Sequence, residues 1–322
     1  MELIKNKFIT EYISSKEYGF YTKESYDFFN IFFKNKENLI KVIDPSGKYH
    51  DKEREKAFLY SYFNSLLFFY SVYCDSNDII RSSNNNEFVS FPLQDGTHYV
   101  LLKRNSVESF DKPYRFYKLY SKDDKYFTNH PYMKGTYINL KNYEGYKIND
   151  IMPYNEKVIF DVINHGFREE HRTIKEGKTP LFNGYINFYY PYDDELKMNI
   201  FESVAYEYKQ HIKNKKPLIH YINESGRKTA AMEINIPLDF DSKEIDYKLM
   251  LIFDYNKEKK YYEPKTIVNH QAVYTKALNF EGFDTPILSD NYLKEMQNTN
   301  KLIDKIYIEN KENIKRNDFE RS

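Results

Sequence analysis

The chain has 322 residues, 48 Lys plus Arg against 48 Asp plus Glu, and a hydrophobic fraction of 41% with 33 Tyr and 25 Phe. That much apolar material suits one large domain or two ordinary ones and excludes a disordered chain. Zero net charge excludes a binder whose bulk charge announces nucleic acid, so any phosphate-contacting surface has to be a local patch.

Lys, Asn, Ile, Tyr and Phe are abundant, Gly is limited to 10, and Trp is absent. AT-rich codons give this skew in any protein, which points to a low-GC bacterium, its phage or another AT-rich virus. For that reason the tyrosine content is discounted as a sign of base stacking. A single cysteine, Cys74, rules out a disulfide framework and reads as a small buried hydrophobe in a reducing compartment.

In chain order, Met1 to Phe20 lacks the apolar core of a signal peptide, which points to the cytoplasm. Leu3, Ile4, Phe8, Ile9, Tyr12 and Ile13 recur at helical spacing, and a second helix is predicted over Lys23 to Val42. Asp44-Pro45-Ser46-Gly47 is a turn by composition. A third helix, Lys52 to Cys74, contains the uncharged run Ala57 to Cys74. Its serines, tyrosines and Asn64 favour a buried core helix over a membrane span. Asp75 to Glu87 reads as a surface loop.

Strand patterns begin at Phe88. Phe88 to Leu93 and His98 to Lys103 flank Asp95-Gly96 as a hairpin with a two-residue turn. Tyr114 to Tyr120 and Lys125 to Thr128 suggest another, and Tyr137 to Leu140 a further strand. A helix over Asn155 to Gly166 precedes a charged loop reaching Lys178, then a strand at Tyr185 to Tyr190. Asp193 to Lys213 is an amphipathic helix with acids first and lysines last, matching its dipole. Strands follow at Leu218 to Ile222, Ala230 to Leu238, Tyr247 to Tyr255 and Tyr261 to Val268, then a helix at His270 to Leu278. A long helix at Asn291 to Arg316 carries a docking stripe of Leu293, Met296, Leu302, Ile303, Ile306 and Tyr307. The fold class is α+β: N-terminal helices, then mainly antiparallel sheet elements, with a long C-terminal helix. A division into a helical region 1–87 and an α+β domain 88–322 follows.

Phosphate-cradling glycine loops, paired cysteines and zinc-protease helices are missing. Three polar constellations remain. His165 to Arg172 combines two histidines, Glu169, Glu170, Arg168 and Arg172, suited to acid–base hydrolysis or, as a bland alternative, to a solvated loop or helix end. His171 and Thr173 form half of a two-histidine phosphoesterase pattern, whose other half would be His220 but for Ile222 in place of the hydroxyl. Lys209, His211, Lys213, Lys215, Lys216 and His220, with Arg227 and Lys228 beyond, form a cationic group at a helix end that suits phosphates or simple dipole complementation. Asp239, Asp241, Glu244 and Asp246, with Lys248, present a carboxylate-x-Lys arrangement on what reads as a polar loop.

Ile234-Asn235-Ile236-Pro237-Leu238, Asp246-Tyr247-Lys248-Leu249-Met250-Leu251, Tyr261 or Tyr262 before Thr266-Ile267-Val268, and Tyr274 with Ala277 carry a resemblance. Over about Ala205 to Leu288 the chain resembles an uncharacterised bacterial domain family often found C-terminal to cold-shock-like domains. Gln271, Lys276, Leu278 and Ile287 stand where that family has Asp, Asn, Arg and Trp. The apolar framework is therefore shared and the polar residues are not. The resemblance implies an RNA context. The expectation is a nucleic-acid-associated accessory protein, non-enzymatic or weakly nucleolytic. Its single-stranded RNA or DNA would meet Arg168, Arg172, Lys209, Lys213, Lys215, Lys216, His220, Tyr274 and Lys276. No cofactor, metal or membrane is expected. The alternative is a virion-type assembly subunit that binds protein partners or copies of itself.

Overall fold

The computed structural model describes residues 31–45, 55–72, 76–85, 87–105, 114–142, 149–175, 193–223, 227–240, 243–281 and 289–320. It contains both helices and sheets and divides into two compact units. One comprises Met1–Tyr146, Tyr221–Arg227 and Leu278–Phe280; the other comprises Lys147–His220, Lys228–Ala277 and Glu281–Ser322. The main division thus lies at Tyr146–Lys147, whereas the sequence reading placed it at 87.

In the first unit the described elements are β1 (Ile31–Phe32), α1 (Glu37–Ile43), α2 (Glu55–Val72), α3 (Ser76–Ile79), β2 (Arg81–Ser82), β3 (Phe88–Pro92), β4 (His98–Arg104), β5 (Tyr114–Ser121) and α4 (Lys125–Asn129). The sheet order is β1-β5-β4-β3-β2, antiparallel except where β1 lies parallel to β5. A helix that is apolar all round has to be surrounded by protein. Accordingly Leu59, Phe63, Leu66, Leu67, Phe69 and Tyr70 of α2 are all buried. Among the described residues no helix is long and apolar enough to cross a membrane.

Several expectations are corrected here. The helix predicted over 23–42 does not run through its described part, which holds β1 and then Asn35 at φ 55°, a left-handed residue that delays helix formation until Glu37. The 75–87 loop contains α3 and β2. The β3–β4 turn is the four-residue Gln94–Thr97 rather than two residues, because Leu93 still pairs with His98. Lys125 to Thr128 is helical, since Asp124 caps it by accepting from the Tyr126 N–H at 2.8 Å. Tyr137 to Leu140 forms no strand and leads into a turn of 3-10 helix at Leu140–Asn142. Cys74 and the helix and strand expected at 3–13 and 185–190 lie outside the described residues.

The second unit is a layer of helices on a sheet. Its helices are α5 (Glu156–Lys175) and α6 (Asp193–Asn214). The sheet, ordered β6-β7-β8-β9, has β6 (Ile219–Ile222), which straddles the division, β7 (Lys228–Phe240), β8 (Lys243–Asn256) and β9 (Tyr261–Asn269). α7 (Gln271–Glu281) and α8 (Asp290–Glu320) follow. Alternate residues of β7 (Ala230, Met232, Ile234, Ile236, Leu238) and of β8 (Ile245, Tyr247, Leu249, Leu251, Phe253) share one core. The inward residues of α5 (Ile159, Val162, Ile163, Phe167) and α6 (Leu196, Ile200, Val204, Tyr208), three and four apart, complete it with Ile303 and Ile306 of α8.

α5 outruns its predicted end at Gly166, so His165 to Arg172 is helix rather than loop. Asp239, Glu244 and Asp246 likewise lie on strands rather than in a polar loop, because the β7–β8 ladder continues through Asp239↔Glu244 and Phe240↔Lys243; Asp241 lies outside the described residues.

Candidate nucleic-acid interface

Phe160 meets Phe201 at 5.9 Å between ring centroids, and the Lys197 ammonium lies over the Phe167 ring at 5.2 Å. α5 and α6 therefore run antiparallel. Arg168 and Arg172 lie beside the start of α6, and Lys209 is about 18 Å further along that helix than Lys197 at 1.5 Å per residue. The two basic groups singled out from sequence are not brought together. Arg168 and Arg172 are exposed, and Arg172 is tied to Glu169 at 2.5 Å.

At the far end of α6, Lys209, Lys213, Lys215 and Lys216 are all exposed. Lys215 adopts φ 49°, which ends the helix, and Lys216 pairs with Glu207 at 3.1 Å. His211 turns inward and its Nε2 meets the Asn149 carbonyl at 3.1 Å; burial holds its pKa below the ordinary range. Two predicted contacts are corrected by burial. His220 is 1% exposed, its backbone N–H donating to the buried Glu281 carboxylate at 2.9 Å. Tyr274, also at 1%, offers no free ring face for a base. Lys276 is half-buried on α7.

Lys248 does not serve an acid-x-Lys site with Asp246. It pairs with Glu233 across the ladder at 3.2 Å, and its ammonium sits 4.7 Å from the Tyr292 ring. Burial, and then the Glu233 carboxylate, pushes the Tyr292 phenol up. Ile222, standing where a two-histidine phosphoesterase needs a hydroxyl, is buried. Among the described residues no group of three or more His, Cys, Asp or Glu is placed to hold a metal.

What sequence reasoning missed is an aromatic cluster beside these lysines. Tyr154, just before α5, is half-buried edge-on against Tyr208 of α6 at 5.6 Å, and Lys209 lies over its ring at 5.3 Å. At the end of β8, Tyr255 is half-buried edge-on against Tyr262 at 5.3 Å, with Lys228 over its ring at 5.6 Å. The inner tyrosines, Tyr208 and Tyr262, are fully buried. The strap Asp150–Met152 joins them: Tyr208 Oη donates to the Met152 carbonyl at 2.6 Å, the Met152 N–H to the Tyr262 carbonyl at 2.8 Å, and the Tyr262 N–H to the Asp150 carbonyl at 2.9 Å.

The β8–β9 turn adds further charge to this end of the sheet. The Asn256 side chain accepts from the N–H groups of Glu258 and Lys259 at 3.1 and 3.0 Å, leaving Lys257, Lys259 and Lys260 exposed. Lys259 is occupied by Glu263 at 2.9 Å. Burial, and then the charge of Lys257, lowers the Lys228 pKa. The legible trace of this corner is the segment Tyr255-Asn256-Lys257-Glu258-Lys259-Lys260-Tyr261-Tyr262, a basic turn between tyrosines.

No protein-family model matches the chain, and no curated protein or solved structure is significantly similar to it.

Proposed function

We propose that this chain is a nucleic-acid-associated accessory protein, with RNA as its ligand, from a low-GC bacterium or phage, and that it binds rather than cleaves. The observation carrying the reading is the row of exposed Lys209, Lys213 and Lys215 along the end of α6, with the Lys209 ammonium over Tyr154 in a tyrosine cluster whose other outer ring, Tyr255, lies under Lys228. Clustered ammonium groups release counterions from a phosphate backbone, which is how a neutral protein acquires local affinity for a polyanion. The resemblance of 205–288 to a domain found beside cold-shock-like modules points the same way.

The test is binding of labelled RNA across a salt series. Affinity should fall steeply with salt, and the combined Lys213→Ala, Lys215→Ala and Lys216→Ala variant should flatten the log–log slope by about 2. Absence of binding at low salt removes the reading. A second reading, a self-assembling structural subunit, is favoured by exposed Phe160, Met198, Tyr206 and Ile212 on α5 and α6. It predicts concentration-dependent association in sedimentation velocity, which a monomer at all concentrations would exclude.

A further inference from the structure

On the sheet of the first unit, cross-strand pairing puts Phe88 of β3, Lys103 of β4 and Arg115 of β5 on one side, with Tyr99, Leu101, Lys118 and Tyr120 further along it. The β4–β5 ladder passes from Leu101↔Lys118 to Leu102↔Phe116 and skips Tyr117. An extra residue in a strand re-aims its side chain. Here the Tyr117 ring meets Phe88 edge-on at 5.6 Å, and the Lys103 ammonium lies 5.8 Å from its centroid. α4 and the residues after it pack Phe127 and Met133 against Tyr99, Leu101 and Tyr120 on this same side. A column of rings continues from there. Tyr120 stacks on Tyr126 at 4.5 Å and Tyr126 on His130 at 4.7 Å, and Tyr132 meets His130 edge-on at 6.1 Å. Tyr117 and Tyr132 are each 49% exposed, and each is set by the ring beside it.

The charge around these rings is one-sided. From Arg115 to Lys134 the chain carries five cations, Arg115, Lys118, Lys122, Lys125 and Lys134, against two acids, Asp123 and Asp124. All five cations are exposed, whereas Asp124 is occupied in capping α4. Lys103 is tied to Glu87 at 3.0 Å, and the Lys118 ammonium lies 4.7 Å from the Tyr120 ring.

We propose that this side of the first unit's sheet binds single-stranded nucleic acid, with Tyr117 and Tyr132 stacking on unpaired bases and Arg115 and Lys118 holding neighbouring phosphates. This rests on the nucleic-acid reading above and adds a base-stacking surface to its phosphate contacts. Aromatic rings exposed on a sheet are a means of gripping unstacked bases, and the contact tolerates sequence because every base has a ring face. A duplex fits poorly, since its base faces are covered by one another. A protein partner fits poorly as well, because lysine is depleted from protein interfaces.

Fluorescence anisotropy of the full-length protein tests this with three labelled probes: an oligouridine of roughly 12 nucleotides, a ribose-phosphate strand of the same length without bases, and a fully paired RNA duplex. The oligouridine should bind at least about tenfold more tightly than either of the others. Tyr117→Leu and Tyr132→Leu should each weaken it about fivefold or more, while Tyr117→Phe and Tyr132→Phe, which keep the ring, should bind like the parent. Lys118→Gln should lower the salt slope by about 0.7. A base-free strand or duplex that binds as tightly as the oligouridine, or leucine variants that bind it normally, overturns the stacking proposal and leaves the nucleic-acid reading intact. Weak leucine variants beside normal binding by the Lys213, Lys215 and Lys216 variant would support this face and remove the α6 lysines from the interface. Failure of every probe to bind at low salt overturns both.

Discussion

Gln94 shows how a polar side chain holds the first unit together. Its Nε2 donates to Tyr70 Oη at 2.8 Å and to the Ile138 carbonyl at 3.0 Å, and its Oε1 accepts from the Leu140 N–H at 3.0 Å. Gln94→Leu would strand those backbone groups, and a loss of about 2 kcal/mol is expected in urea unfolding. Gly135 is required for a different reason. A Cβ there would lie 1.9 Å from the Ile79 carbonyl oxygen, in backbone also held by Tyr99 Oη on the Gly135 carbonyl and the Thr136 N–H on the Asp78 carbonyl. Gly135→Ala should therefore cost about 3 kcal/mol or more, read as a lowered melting temperature. In the second unit, burial and then the charge of Lys248 bring the His270 pKa down to about 4, from an ordinary 6.5. The folded state keeps this ring neutral. Its contribution is therefore complete above about pH 6.5 and is lost as pH falls towards 4, roughly 3 kcal/mol in all. His270→Phe should narrow the difference between urea midpoints at pH 7.5 and 4.5. Residue by residue, the candidate site was half legible. The lysines of 209–216 stand out as a run at a helix end. Tyr154 and Tyr255 do not, because the chain's 33 tyrosines are spread throughout it and only tertiary placement puts an ammonium over a ring. The burial of His220 and Tyr274 was equally hidden, since burial is decided by neighbours distant in sequence.

At the scale of elements, periodicity was a good guide wherever one face is buried. β7, β8 and α6 lie close to their predicted spans because their inward residues repeat at two or at three-to-four. It failed where polar composition imitated a loop. The segment after Gly166 reads as solvated by composition, yet it continues the helix whose inward side carries Ile163 and Phe167, with Arg168 and Arg172 on the wet face. The short α4 has the composition of a strand and is helical because Asp124 caps it. Asp124→Ala removes the cap and should lower stability by about 1 kcal/mol, measurable by thermal denaturation, while Asp124→Asn or Asp124→Ser should recover most of it.

At the scale of the whole molecule, neither unit is one continuous stretch of chain. Leu278–Phe280, a turn of α7, belongs to the first unit, where Asn279 Nδ2 donates to the Tyr62 carbonyl at 3.0 Å and the Phe280 ring lies 5.1 Å from that of Phe69. A fragment ending at Tyr146 lacks these contacts. It should show poorer amide dispersion and a broader, lower thermal transition than the same residues within the full chain; an unchanged transition would show that the return is dispensable. The sequence pattern suggested a division at 87 and not the one at Tyr146–Lys147, because the returning segments are too short to carry a composition of their own.

The Asn279–Tyr62 bond spans 217 residues of sequence. At a synthesis rate of about 5 to 20 residues per second, α2 is made on the order of 10 to 40 s before its partner. For that interval the most apolar of the described helices waits with part of its surroundings unsynthesised, and its sides are open to other nascent chains. Completion of the first unit thus waits on chain made long after α2, and the yield of folded protein should depend on whatever shields α2 in that interval.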